Sequence, residues 1–389
     1  MRPERGFLVL SAALCALAPL SIDLGLPALG PLTRALGVAP ARGGLTLAVF
    51  MAGFALTPLV FGTLSDRRGR RGPLLAGLVL YSLGGLVCTL AGSFDALLVG
   101  RLLQGMGAGA GPTLAMAATR DRLHDAALKR RLSALTACLN LAPVIAPSLG
   151  TALLALGGWR APYATLAAAG LLLLAACMAG FAETHRVADR PHLRTDLAEL
   201  IRAPRSLAMI GVYAASAASM FAWVTLSPLV LMERLHVAPP LYAALFALAA
   251  CGIVTGAVLS PRLAARIGTH RLLAAALALS IAAPLLAAAL LVLAPDWRTL
   301  MPTMIAATFA YGLIAPTAAH AALDPLPRIA GTASAVMNAA QVATMAAASA
   351  LASWAFTLAD LFALPVAMIV FALLSAAIVL FQPAGGRAD

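Results

Sequence analysis

Charge is what this chain has least of. Of its 389 residues, 11% are Asp, Glu, Lys or Arg and 62% are hydrophobic, whereas a soluble domain is about 25% charged. So little polar surface cannot cover a water-facing globule, which excludes a soluble enzyme or binding module and implies an integral membrane protein. Acids are the scarcer sign, 15 against 27 basic residues, for a formal net charge of +12. In a soluble protein that excess suggests nucleic acid. Here the arginines sit in short segments between apolar runs, where they act as topology signals, and no nucleic-acid partner is expected. The five cysteines (Cys15, Cys88, Cys138, Cys177 and Cys251) all lie in apolar runs without C-x-x-C spacing, so neither a disulfide framework nor a thiolate site is indicated. The six histidines lack the i, i+4 pairing of a zinc helix, and no metal or cofactor is expected.

What the chain has in abundance is apolar sequence. Residues 62–72 read G-T-L-S-D-R-R-G-R-R-G, between a flank Leu45 to Phe61 and a flank Pro73 to Ser93 that contain no Asp, Glu, Lys or Arg. Each flank has about the length that crosses a ~30 Å hydrocarbon core at 1.5 Å per residue. The charged run therefore reads as a short connection between two membrane spans. Counting such runs predicts twelve spans, near 7–27, 43–61, 73–93, 96–118, 132–156, 161–182, 207–230, 241–261, 272–294, 299–321, 331–353 and 362–381. The N-terminal run imitates a secretory signal, but Pro19 follows at once, and an uncleaved first span is the better reading. The one long polar interval, 183–206, separates six spans from six. It predicts an N-terminal bundle (1–182), a cytoplasmic linker (183–206) and a C-terminal bundle (207–389). Residues 193–202 are expected to form a short amphipathic surface helix.

Placing both termini inside puts 21 of the 27 basic residues on the cytoplasmic side and five outside, with Arg101 within a span. That asymmetry orients the chain. A weak internal repeat supports two halves: Leu64, Arg67 and Gly69 match Leu263, Arg266 and Gly268 at an offset of 199, Asn140 matches Asn338 at 198, and Trp159 matches Trp354 at 195. Duplicated six-helix halves are a known transporter plan.

Asp23 in span 1 and Arg101 in span 4 are the two charged residues well inside spans. Each costs about 2.5–3.5 kcal/mol at a helix centre on insertion scales, so function or pairing is expected of both. Depth arithmetic puts Asp23 about 24 Å along span 1 and Arg101 about 8 Å into span 4, in one layer of the N-terminal half. Three readings stay open: a carboxyl that exchanges protons as cargo moves, with Arg101 always charged, a structural Asp–Arg pair, or a loop position for Asp23 at the outer boundary. Span 5 carries A-P-V-I-A-P-S-L-G at 142–150. Its prolines, Pro143 and Pro147, predict a bent helix, and Ala146, Ser148 and Gly150 predict a close helix contact. Gly105, Gly107, Gly109 and Gly111 predict another in span 4. Gln104, Asn140, Asn338 and Gln341 either line a cavity or bond between helices.

These residues resemble the major facilitator superfamily. The run from Gly62 through Asp66, Arg67, Gly69 and Arg70 is similar to its signature loop between spans 2 and 3, and Arg101-Leu-Leu-Gln-Gly105 with Arg120-Asp121 to its second motif. Pro143 to Gly150 resembles the drug-antiporter motif, and Asp23-Leu-Gly-Leu-Pro27 the span-1 element of bicyclomycin/chloramphenicol-resistance exporters. The resemblance implies an all-α integral membrane fold with twelve transmembrane helices in two pseudo-symmetric six-helix bundles. It also implies proton-coupled alternating access, with Asp23 as protonation site assisted by Arg101. An inner-surface cluster of Asp66, Arg67, Arg70 and Asp121 is implied, with Asp66 acting on the N-terminus of span 11 near Gly331 and Thr332. Two departures stand out: Ala146 where the antiporter motif has glycine, and Ala265 where the second loop copy lacks the acid of Asp66.

The expected function is export of small, partly apolar compounds in exchange for protons across a bacterial inner membrane, by a monomer with both termini cytoplasmic. A dedicated metabolite or siderophore exporter on the same fold is the alternative. A polytopic membrane enzyme would need clustered carboxylates, histidines or a serine–base pair, and none is visible.

Overall fold

The structure, a computed structural model, describes residues 2–123, 125–184 and 193–381. Among these no strand occurs, and helices account for nearly every residue. The first nine are α1 (Arg2–Asp23), α2 (Leu29–Ala35), α3 (Leu45–Thr57), α4 (Thr63–Arg68), α5 (Arg71–Leu90), α6 (Phe94–Ala108), α7 (Ala110–Arg122), α8 (Asp125–Gly157) and α9 (Arg160–Gly180). The remaining seven are α10 (Leu193–Ile201), α11 (Pro204–Pro228), α12 (Pro239–Ile267), α13 (Thr269–Leu293), α14 (Trp297–Leu323), α15 (Ala330–Ala359) and α16 (Ala363–Leu380). The chain packs as two units, Met1–Ala188 with Ala238–Ala247, and Asp189–Val237 with Leu248–Asp389.

Ten helical stretches among the described residues are long and apolar enough to cross a membrane. The last, Pro327–Leu380, holds both α15 and α16. Span 4 is missing from the ten because it is split into α6 and α7 at Gly109. The cause is Pro112, which has no N–H to give the carbonyl of Ala108. Counting the split span and the doubled stretch gives the twelve that the sequence predicts.

Helix ends depart from the apolar boundaries. The 62–72 connection is largely helical: a π-helical turn, Pro58–Gly62, runs into α4, only Gly69 and Arg70 leave the helix, and α5 starts at Arg71. Span 1 does not end at 27. After Asp23 the helix breaks at Leu24–Gly25, makes a 3-10 turn over Leu26–Ala28 and continues as α2 to Ala35. Hydropathy marks where lipid ends, and a helix carries on past that point wherever its side chains reach water or a neighbour.

The glycines of span 4 are close-approach positions. A Cβ on Gly105 would collide with the carbonyl of Phe50 in α3, and one on Gly107 with the backbone of Gly77 and Tyr81 in α5. With no net hydrophobic drive between helices in lipid, such backbone proximity maximises dispersion contact.

The repeat at offset 199 is structural. Gly69 and Gly268 both follow a helix with positive φ, +91° and +85°, and donate to Ser65 O (3.1 Å) and Ala264 O (2.9 Å). The Trp159–Trp354 match is not. Trp159 is buried between α8 and α9, whereas Trp354 is exposed inside α15, which runs on to Ala359 rather than ending at 353.

Candidate functional site

Asp23 is the last residue of α1, at the break in the first span, and is 3% exposed. It has no hydrogen bond or ion pair among the described residues. The neighbouring positions are anchored instead. Ser21 shares a 2.7 Å hydrogen bond with the Tyr81 hydroxyl of α5, and a Cβ on Gly25 would lie 3.5 Å from the Tyr163 hydroxyl of α9. The carboxyl is thus held at a discontinuity in the helix, the kind of irregular backbone that membrane proteins keep at binding sites.

Arg101 is 2% exposed and does not pair with Asp23. Its Nε donates to Thr46 O at 3.2 Å and its Nη1 to Gln104 Oε1 at 2.7 Å, while the guanidinium lies 4.2 Å over the Phe50 ring and 5.8 Å from that of Tyr163. The structural Asp–Arg pair is therefore absent from this structure. Cation–π contact and carbonyl acceptors compensate the charge without a carboxylate. Gln104 is fully buried, close to the Tyr81 phenol, and its Nε2 makes no well-formed hydrogen bond among the described residues. Tyr163 lies near both Gly25, two residues after Asp23, and the Arg101 guanidinium.

The span-5 motif meets the same place. α8 runs unbroken through Pro143 and Pro147, so the prolines do not interrupt the helix. Ala142, Ala146 and Gly150, spaced i, i+4, i+8, form its buried face, and Pro147 is buried beside them. A Cβ on Gly150 would strike the carbonyl of Leu24, the residue after Asp23. Ala146 is completely buried, so alanine fits where the motif has glycine.

The turn between α4 and α5 has a partner that the sequence reading missed. Arg70 Nε pairs with Asp121 Oδ2 at 3.2 Å and its Nη1 reaches Ser65 Oγ at 2.8 Å. The carboxylate of Glu183, just beyond α9, accepts from the amides of Arg70 (2.8 Å) and Arg71 (3.1 Å) at the start of α5. An anion there is favoured by the helix dipole and by the unsatisfied first-turn amides. Thr184 Oγ1 adds a 3.2 Å bond to Asp121 Oδ2. The carboxylate covers Gly69 so closely that a Cβ would lie 2.5 Å from Glu183 Oε2. Gly62 is half-buried at the head of α4. The side chains of Asp66, Arg67 and Asn140 lie outside the described residues. Glu183 had one legible signal, its position as the first acid after span 6.

In the second unit, Asn338 is exposed on α15, and Gln341 Nε2 donates to the Tyr311 hydroxyl at 3.5 Å. The linker helix expected at 193–202 is α10, packed on α11 and α15. Its Leu200 is buried, Asp196 accepts from Thr332 Oγ1 at 2.8 Å, and Glu199 pairs with Arg328. Thr332, which the resemblance places beside Asp66, is bonded here to Asp196. No group of three or more His, Cys, Asp or Glu that could hold a metal occurs among the described residues.

Two helical units of this kind follow the duplicated plan of secondary transporters. The Major Facilitator Superfamily model matches residues 11–349, and the chain belongs to that superfamily. It is thus a multi-pass membrane protein of a transporter family, not of a family of enzymes. It is 31% identical over 248 residues to multidrug resistance protein MdtL of Escherichia coli O45:K1 (strain S88 / ExPEC), covering 63% of each chain. The same protein of Escherichia coli O139:H28 (strain E24377A / ETEC) is 30% identical over 248 residues, again 63% of each. The chain thus aligns with 63% of the length of these curated relatives. A crystal structure of a bacterial homologue of the human lysosomal transporter Spinster, inward-facing and occupied, superposes with a TM-score of 0.79 at 17% identity over 96% of this chain and 95% of that one. A D-xylose–proton symporter gives 0.75 at 17% identity over 97% of each. At such identities the likeness is one of fold.

Proposed function

We propose that this transporter is a drug/H⁺ antiporter of a bacterial inner membrane, exporting small, partly apolar compounds as a monomer with both termini in the cytoplasm. The observation that carries the reading is Asp23: a carboxyl 3% exposed, with no counter-ion among the described residues, at the break in the first span. A buried carboxyl with no opposite charge sheds its own charge by binding a proton, and water or a polar cargo group entering the site favours release. Arg101 stays charged and tunes that exchange through Gln104 and Tyr163 rather than carrying the proton. The contact of Gly150 with Leu24 ties the antiporter-like face of α8 to the proton site. The likeness to MdtL supports drug compounds as cargo.

In this reading, bundles 1–182 and 207–389, joined by 183–206, alternate in access. Gly62, Asp66, Arg67, Gly69, Arg70 and Asp121 form the switch at the inner surface, and Gln104, Asn140, Asn338 and Gln341 face cargo. The test is a growth-inhibition panel in an efflux-deficient host overproducing wild type or Asp23→Asn, with membrane abundance measured in parallel. Wild type raises the inhibitory concentration of at least one compound several-fold, and Asp23→Asn returns it to the empty-vector level at equal abundance. Equal resistance from both proteins would remove Asp23 from the mechanism.

A further inference from the structure

We propose that Tyr81 is a positioning residue of the proton site, whose hydroxyl ties the Asp23-bearing end of α1 to Arg101 and Gln104 of α6. The inference rests on the antiport reading above and names how α1 and α6 act together in it.

Tyr81 sits in the middle of α5 and is fully buried. A phenol there costs more than a phenylalanine unless its hydroxyl is bonded. Its bond is to Ser21 of α1, at 2.7 Å. Ser21 has committed its one proton to Leu17 O at 2.6 Å, so Tyr81 is the donor and Ser21 the acceptor. The phenol oxygen is left with lone pairs to offer, and close to it lies Gln104. Backbone packing sets this proximity. A Cβ on Gly84, one turn beyond Tyr81, would lie 2.4 Å from Gln104 N, and one on Gly107 would lie 2.4 Å from Tyr81 N. Gln104 Oε1 accepts from Arg101 Nη1 at 2.7 Å, so what the amide has left to turn toward the phenol is N–H. Donors therefore run in one direction, from Arg101 through Gln104 and Tyr81 to Ser21 and the Leu17 carbonyl. The step from Gln104 to Tyr81 is a close approach, and the others are formed bonds. The chain reaches α1 two residues before Asp23 and the helix break. Movement of that end is thereby felt at Arg101, although carboxyl and guanidinium do not pair.

The second half of the chain lacks the whole set. Ser21 and Ser82 recur at an offset of 198 as Ser219 and Ser280, but the same offset has Phe221 for Asp23 and Leu279 for Tyr81. The tenth span, α14, has no glutamine and no arginine beyond Arg298 of its first turn. Ser219 donates to Met368 O at 3.1 Å. A phenol needed only to pack one helix on another would serve equally in both halves. It occurs in the half that carries the buried charges.

The test is transport by the full chain in proteoliposomes, with ethidium and radiolabelled chloramphenicol as probes. Two modes are compared: transport driven by an imposed pH gradient, and exchange of probe for probe at equal pH, which needs no net proton movement. Tyr81→Phe keeps the ring and removes only the hydroxyl. The expected result is a driven rate about tenfold below wild type, the size of one lost buried hydrogen bond, with exchange within about twofold. Ser21→Ala, which removes the acceptor, should lower the driven rate in the same way. Ser260→Ala, which breaks the buried 2.9 Å Ser260–Thr317 bond of the second unit, should leave both modes unchanged. Driven transport by Tyr81→Phe at the wild-type rate overturns the proposal. So does an equal loss of both modes, or a Ser260→Ala protein that matches Tyr81→Phe, because the hydroxyl would then serve packing alone. Wild type that moves neither probe in response to the gradient would fail the antiport reading itself, before any variant is compared, and the role of Tyr81 with it.

Discussion

Asp23 and Arg101 illustrate how much a single charged residue in lipid announces. Both were legible as site candidates because insertion cost makes unexplained charge rare in a span. What each touches was not legible, since it depends on helices distant in sequence: α3 supplies Thr46 and Phe50 to Arg101, and α9 supplies Tyr163. The two-pronged use of the guanidinium, forked onto a carbonyl and an amide while stacked on Phe50, is one that an ammonium cannot reproduce. Arg101→Lys is accordingly expected to lower the maximal efflux rate on the order of tenfold while the protein remains in the membrane, because charge is kept and geometry is lost. Initial rates in vesicles, normalised to abundance, check this. A rate equal to wild type would reduce Arg101 to a bearer of charge. Gln104 belongs to the same network, its Oε1 accepting from Arg101 Nη1 at 2.7 Å.

At the scale of elements, composition located the spans well and their ends poorly. α4, the start of α8 and the end of α15 all extend beyond the apolar runs, since backbone hydrogen bonding continues wherever side chains are solvated or packed. The 69–70 turn shows the reverse case, a loop whose glycines were legible while its clamp was not. Glu183 is 113 residues from Arg70, and no local pattern connects them. Its hydrogen bonds are charge-assisted and worth about 1.5–3 kcal/mol against leaving those amides unpartnered. Glu183→Ala should therefore speed hydrogen exchange at the Arg70 and Arg71 amides about 10-fold or more. Exchange of a peptide spanning the turn, measured on the full chain, reads this directly. Unaltered exchange would mean that Gly69 and the Arg70–Asp121 pair hold the turn by themselves. α10 is fastened in the same style, by one buried leucine and two carboxylates on the first turn of α15 and its approach, so both described ends of the polar interval are docked.

For the molecule as a whole, superfamily membership sets the class of activity, and the proposed coupling sets its energetics. If efflux draws on proton entry, collapsing the pH gradient with a protonophore should stop accumulation against a concentration gradient and leave passive equilibration, as everted vesicles loaded with a fluorescent cargo will report. Accumulation that persists after collapse would point to another driving ion. The amino-acid sequence alone determined the membrane class, the number of spans and the duplicated plan. Each of these is written in local composition, in how long the chain stays apolar and where arginine collects. Only the tertiary structure decided that Asp23 is without a partner among the described residues, that Arg101 is stacked on Phe50 rather than paired with Asp23, and that Glu183 caps α5. Those outcomes depend on which side chains non-adjacent helices bring within about 3 Å of one another, the range over which a hydrogen bond forms or fails.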